Sequence, residues 1–205
     1  MRAILHWIKE RVSLLSFNSS DISRVNLACG HQRVPGYLGV DFVGDVDLRL
    51  NLLKGNLPFS SNSLDSVICI SAINYFSRDR GDEIIREVFR VLRPGGVARF
   101  AVQDLRELAI KYINRDLDFF FQKLPNGLDR FQGKTLGDKF VAWFYGYPAK
   151  WEPCKYFYDY DSLAAIFKDA GFRIIENRKY LDSRLAHIEL IDNRPEQMFF
   201  LEAIK

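Results

Sequence analysis

The chain has 205 residues, 48% of them hydrophobic and 27% charged, an ordinary globular balance for which disorder is not the default. Its length suits one domain with room for an insertion, and such a domain needs no covalent staples to bury a full core. A net charge of +3, from 29 basic and 26 acidic residues, lacks the concentrated basic field of a dedicated nucleic-acid binder.

Residues 1–23 read as a leading helix and hinge. Ile4, Leu5, Trp7, Ile8, Val12, Leu14 and Leu15 form an apolar stripe, and Lys9, Glu10 and Arg11 interrupt any signal-peptide core. This amphipathic helix is expected to dock on the domain, with a partner or a membrane surface as the alternatives. No apolar run reaches the length of a membrane span. The remainder, 24–205, reads as one unit. Arg24 to Cys29 is a short apolar run closed by Gly30, and Tyr37 to Val40 is a second, closed by Asp41. Val46 to Leu53 alternates apolar and polar residues. Ser66 to Ile70 is the best central strand, being apolar and β-branched. A helix is predicted over about 79–92, stopped by Pro94-Gly95-Gly96, and Val97 to Val102 is the next strand. A second helix is predicted over about 161–170, with Gly171 as its natural end, and Arg173 to Glu176 and Gln197 to Ile204 close the chain as strands.

Strands alternating with helices predict an α/β fold: a Rossmann-like, doubly wound, mostly parallel sheet. Ligands of such sheets bind beyond the carboxyl ends of the strands, near the switch in strand order. Attention therefore falls on Gly30, Asp41, Asn51, Ser71 and Asp104, which follow the predicted strands. Gly30 lets a ligand approach the backbone, and Asp41 can accept both hydroxyls of a ribose. The link between the first two strands is only about seven residues, shorter than a parallel crossover with its helix requires. Either that helix is absent or the strand limits lie elsewhere.

The order of these signals resembles the class I S-adenosylmethionine-dependent methyltransferases, in particular the short methyltransferase domains found among bacterial glycan and small-molecule enzymes. The matching stretches are Val25 to Gly30 (VNLACG), Pro35 to Asp41 (PGYLGVD), Asn51 to Asp65 and Glu87 to Gly96 (EVFRVLRPGG). Val102 to Leu105, Tyr158 to Phe172 and Asp192 to Lys205 add further matches. The resemblance implies that Ala28, Cys29, Gly30 and His31 lie beside the methionine part of S-adenosylmethionine. It implies that Asp41 holds the ribose and that Asn51 and Leu52 flank the adenine. Ser71 and Ala72 would meet the amino end, with Tyr75 as a further cofactor contact. The chain departs from the family in three ways. Ala28, Gly30 and Gln32 stand where three glycines are usual, Asn26 stands where an acidic residue is usual, and Asn74-Tyr75 replaces a common Glu-His pair. The missing glycines also argue against a dinucleotide, whose pyrophosphate needs a G-x-G-x-x-G loop.

Residues 106–158 read as an aromatic-rich helical insert, from Tyr112 and Phe119 to Trp143, Trp151 and Tyr158, with basic residues interleaved. The insert is either a small subdomain with its own core, a lid over the methyl acceptor, or both. Candidate general bases are Asp104 after the fifth strand and His187 before the last. No metal-ligand spacing is present, and Cys29, Cys69 and Cys154 are odd in number and far apart, as expected of a reducing, cytoplasmic compartment. The reading is thus a methyltransferase for a small molecule or glycan, acting at oxygen. The alternatives are a degenerate methyltransferase-like binding or assembly domain and a nucleic-acid methyltransferase.

Overall fold

The computed structural model describes residues 22–145 and 153–205. The predicted leading helix, and Tyr147, Lys150 and Trp151 of the insert, lie outside these residues. Seven strands form one sheet: β1 (Arg24–Leu27), β2 (Leu38–Asp41), β3 (Leu48–Arg49), β4 (Leu64–Ile70), β5 (Leu92–Gln103), β6 (Ile174–Arg178) and β7 (Met198–Ile204). The helices are α1 (Arg78–Val91), α2 (Leu105–Ile113), α3 (Leu117–Phe120), α4 (Leu136–Tyr145), α5 (Tyr160–Ala170) and α6 (Ile188–Ile191). The sheet order is β3-β2-β1-β4-β5-β7-β6. The pairings from β3 to β5 are parallel, and β7 runs antiparallel to both neighbours, with Val97 opposite Ile204 and Ile174 opposite Ile204.

Each predicted strand and helix of 24–205 is present, with limits that differ by a few residues. The alternating Val46 to Leu53 stretch pairs only at Leu48–Arg49. Strand β5 starts at Leu92 rather than Val97, because the Pro94-Gly95-Gly96 turn carries the chain straight from α1 into the sheet. Ser77 caps α1 by accepting the Arg80 N–H at 3.3 Å. Asp159 and Ser162 cap α5 reciprocally, and Gly171 ends it in the left-handed region at φ 110°.

Side chains alternate across the sheet with the period of two expected of strands. Val67, Cys69, Ala98, Phe100, Val102, Phe199 and Leu201 face one side and pack on α1 and α5 through Ile84, Ile85, Val88, Leu163, Ile166 and Phe167. Ile68, Ile70, Ala101, Met198 and Phe200 face the other side. Among the described residues that second face is covered differently. No helix stands between β1 and β2, so the crossover helix is absent and residues 28–37 run across as turns. Val34 and Tyr37 from this link, with Leu185, Ile188 and Ile191 from the long β6–β7 connection, fill the space. Leu108, Phe119, Phe120, Phe131 and Trp143 form a third, separate cluster from α2 to α4.

Candidate cofactor site

The sheet order reverses between β1 and β4, and a cavity of about 410 Å³ opens at the carboxyl ends of β1, β2 and β4. This is the place where an open α/β sheet binds its ligand, and the volume lies within the ordinary small-ligand range. Ala28, Gly30, Asp41, Asn51 and Leu52 line it, with Ser71, Ala72 and Tyr75 across from them. Four separate stretches of sequence thus converge on one hollow.

The geometry comes from the strand ends. Ala28 at φ 51° and Gly30 at φ 55° turn the chain sharply after β1. A β-carbon placed on Gly30 would meet no atom within 4 Å, so the cavity begins directly at that backbone. Cys29 between them points away, 7% exposed, while its backbone N–H donates to the Val40 carbonyl at 3.2 Å. His31 is exposed. Neither Cys29 nor His31 lines the cavity, because the turn places alternate residues on opposite sides.

The Asp41 carboxylate closes the loop. Its Oδ2 accepts the Gly30 N–H at 2.8 Å, and its Oδ1 accepts the N–H groups of Phe42 at 2.6 Å and Val43 at 3.2 Å. A carboxylate has about four acceptor positions, so it keeps capacity for a ligand hydroxyl. Arg49 braces the opposite rim, donating to the carbonyls of Phe42 at 2.6 Å and Gly44 at 2.8 Å. Arg80 from α1 does the same for Leu52 at 2.8 Å and Gly55 at 2.7 Å. Asn51 Oδ1 accepts the Leu53 N–H at 2.9 Å, folding the 51–54 turn against the cavity.

Apolar walls that the sequence reading missed are Phe42, Val43, Leu50, Leu53 and Phe76. Val43 and Leu53 are 59% and 53% exposed, a wet apolar rim suited to the face of a flat ring. Their signal in the sequence was adjacency to Asp41 and Asn51. Another hollow, on the insert between Tyr112 and Phe140, is about 560 Å³ but stands wide open and away from the strand ends.

The two candidate bases do not share a cavity. Asp104 caps α2, its Oδ1 accepting the Arg106 N–H at 2.9 Å. It lines a small void with Glu107, Lys111 and Gln197, and burial raises its carboxyl from its ordinary value. Its neighbour Gln103 donates to Ser71 Oγ at 3.2 Å, one strand from the main cavity. His187 is exposed, in the left-handed region at φ 60°, with Glu189 3.7 Å from its Nδ1. Among the described residues no group of three or more His, Cys, Asp or Glu could hold a metal ion. Burial pushes the thiols of Cys29 and Cys69 up to about 11 and about 12, which makes them poor nucleophiles.

Comparison with known proteins agrees with this geometry. The matching family is a methyltransferase domain, over residues 3–100. A demethylmenaquinone methyltransferase from Listeria welshimeri is 29% identical over 144 residues, 67% of this chain and 55% of that protein. One from Lactococcus lactis is 26% identical over 154 residues, 72% of this chain and 56% of that protein. The chain thus spans little more than half the length of these curated relatives. Two solved structures share the fold. One is an S-adenosylmethionine-dependent methyltransferase from Thermotoga maritima, at 15% identity and TM-score 0.51, covering 98% of this chain and 91% of that one. The other, from Mesorhizobium loti, stands at 16% and 0.50, covering 98% and 97%. The motif order, the sheet topology and the family match over residues 3–100 agree, and the chain is similar over that part to the class I S-adenosylmethionine-dependent methyltransferases.

Proposed function

We propose that the chain binds S-adenosylmethionine in the 410 Å³ cavity and transfers its methyl group to a small molecule. The observation that carries this is the convergence of Gly30, Asp41, Asn51 and Ser71, from four strand ends, on one cavity. When bound, the cofactor supplies a methyl group on a positively charged sulfur. The Asp41 carboxylate, already oriented by three backbone N–H groups, holds the ribose hydroxyls. Asn51 meets the adenine edge, and Leu50, Leu52 and Phe76 exclude water. Ala28, Gly30, Ser71, Ala72 and Tyr75 cradle the amino-acid end. Holding the acceptor in line and dry provides much of the rate in such a displacement.

The curated relatives are named for a small-molecule acceptor, and the proposal takes a small molecule bearing a hydroxyl, transferred at oxygen, with a glycan as the wider class. Asp104 is the favoured base. Burial raises its carboxyl from its ordinary value, which strengthens it as a base, and Gln103 ties that strand end to Ser71. The exposed His187 lines neither cavity. The insert supports a small acceptor over nucleic acid. Lys111 pairs with Glu107 and Asp116, Lys123 and Lys139 with Asp129, and Arg130 with Glu196, so these cations are neutralised locally. A reducing, cytoplasmic setting is part of the proposal and rests on three free thiols.

Calorimetric titration with S-adenosylmethionine tests the site. Micromolar binding is expected, weakened at least tenfold in a folded Asp41→Ala variant, since a hydrogen bond to a charged group contributes about 1.5–3 kcal/mol. A folded parent that fails to bind millimolar cofactor refutes the enzyme and favours the degenerate binding domain.

A further inference from the structure

The third glycine usual in the cofactor loop is Gln32 in this chain, and the helix usual after that loop is absent. The structure links these two departures. Gln32 Nε2 donates to the carbonyls of Leu190 at 2.8 Å and Ile191 at 3.0 Å. Those carbonyls end the short α6, where the last turn of a helix leaves its acceptors without partners. The same residue is held on the other side. Its backbone N–H donates to the Cys29 carbonyl at 2.8 Å, and its carbonyl accepts from the buried Asn26 amide at 3.3 Å. An acidic residue at 26 would have no proton to give there.

The segment that Gln32 reaches is itself firmly anchored. Arg99 and Asp192, both with fully buried side chains, form a paired contact at 3.1 Å and 2.5 Å. Arg99 also donates to the carbonyl of Asp182 at 2.9 Å, and Asp192 accepts the Leu181 N–H at 2.9 Å. Residues 179–192 are thus a strap fixed to β5, lying over the sheet face that the absent helix leaves to be covered. The cofactor loop carries no helix to hold it, and Gln32 is its hydrogen-bonded tie to that fixed strap.

We propose that Gln32 is a positioning residue: it couples the β6–β7 strap to the loop 28–32 and so sets the place of Ala28 and Gly30 in the cavity. The inference rests on the cofactor reading for its effect on binding, but the tie itself does not. A glycine at 32 could not make it, and no residue of the strap lines the cavity.

The test compares the full-length parent with Gln32→Glu, which keeps the shape but loses both donors, and Gln32→Met, which keeps the length without polarity. Amide hydrogen exchange is measured without ligand, and S-adenosylmethionine affinity by calorimetry. The expected result is exchange at residues 28–32 faster by about fivefold or more in both variants and cofactor affinity weaker by about tenfold, the worth of two ordinary hydrogen bonds. In the parent, cofactor should also slow exchange in 185–192, and that transmitted protection should vanish in the variants. A change of stability alone would move none of these selectively. Unchanged exchange at 28–32, or unchanged affinity despite faster exchange, overturns the proposal, as does global unfolding of both variants. A parent that never binds cofactor refutes the proposed function, while the exchange comparison still decides the tie.

Discussion

Ala28 shows what a single residue carries at this site. Its place was readable as a departure from the usual glycine. What could not be read was its backbone, held at φ 51°. That conformation costs an L-residue about 1–2 kcal/mol, because Cβ approaches the carbonyl oxygen. Ser71, at φ 58°, shares the condition on the far side of the same cavity. Such strain gathers where a ligand site over-determines the chain. Ala28→Gly should therefore raise stability by roughly 0.5–1 kcal/mol, the released strain less the added unfolded-state entropy. Urea denaturation checks it; a loss of stability would mean that the methyl packing against the core outweighs the strain. Cys29 teaches the complementary lesson. Its neighbourhood in sequence suggested a contact, yet residue spacing in a left-handed turn puts it behind the loop.

At the scale of elements, α1 and α5 were legible because their signals are local. An apolar stripe and a glycine stop act within a few residues of one another, and the Ser77 and Asp159 caps that the structure adds are as local. Gly171 is the firmest of these. It stands at φ 110°, and a β-carbon there would come within 2.8 Å of the Phe89 ring. Gly171→Ala should cost about 2–3 kcal/mol through strain and overpacking. Gly95→Ala, at φ 80° with nothing within 4 Å, should cost only about 1 kcal/mol. Equal losses in chemical denaturation would refute the packing argument. Strand β3 is only two residues long, because the alternation of Val46 to Leu53 continues into residues that line the cavity instead of pairing. The β1–β2 link left two readings open; the pairing of Val25 with Leu38 fixes the strand limits, and the turns over 28–37 show that the helix is absent.

Over the whole molecule, charge does work that composition conceals. The sheet face under the strap carries Arg99 and Glu202, both buried, among apolar neighbours. Arg184 and Ser183 from the strap reach Glu202, while Arg184 and Arg178 also hold Glu176. The hydrogen bond from Arg184, with Arg178 adding to it, lowers the Glu176 carboxyl from its ordinary 4.5 to about 2. Arg90 lowers Glu87 in the same sense. A carboxyl lowered in the folded state stabilises above its unfolded value and loses that contribution as pH falls through the folded one. Stability should therefore decline as pH drops from about 4.5 toward 2, and Glu176→Gln should flatten that decline, followed by acid-dependent urea denaturation. An unchanged slope would show that the cluster is screened by solvent.

The sequence by itself determined the α/β class, the two long helices with their glycine stops, the central strands and the residues at strand ends where a ligand site should lie. These follow from periodicity and local backbone chemistry, which act over a few neighbouring residues. Only the tertiary structure decided which of those residues share a cavity, that Asp104 and His187 stand apart, and that Gln32 meets Leu190 and Ile191. Those facts depend on strand order and on side-chain direction across a sheet. Contacts between positions 32 and 191, or 99 and 192, leave no periodic trace in the chain and come into being only when the sheet is assembled.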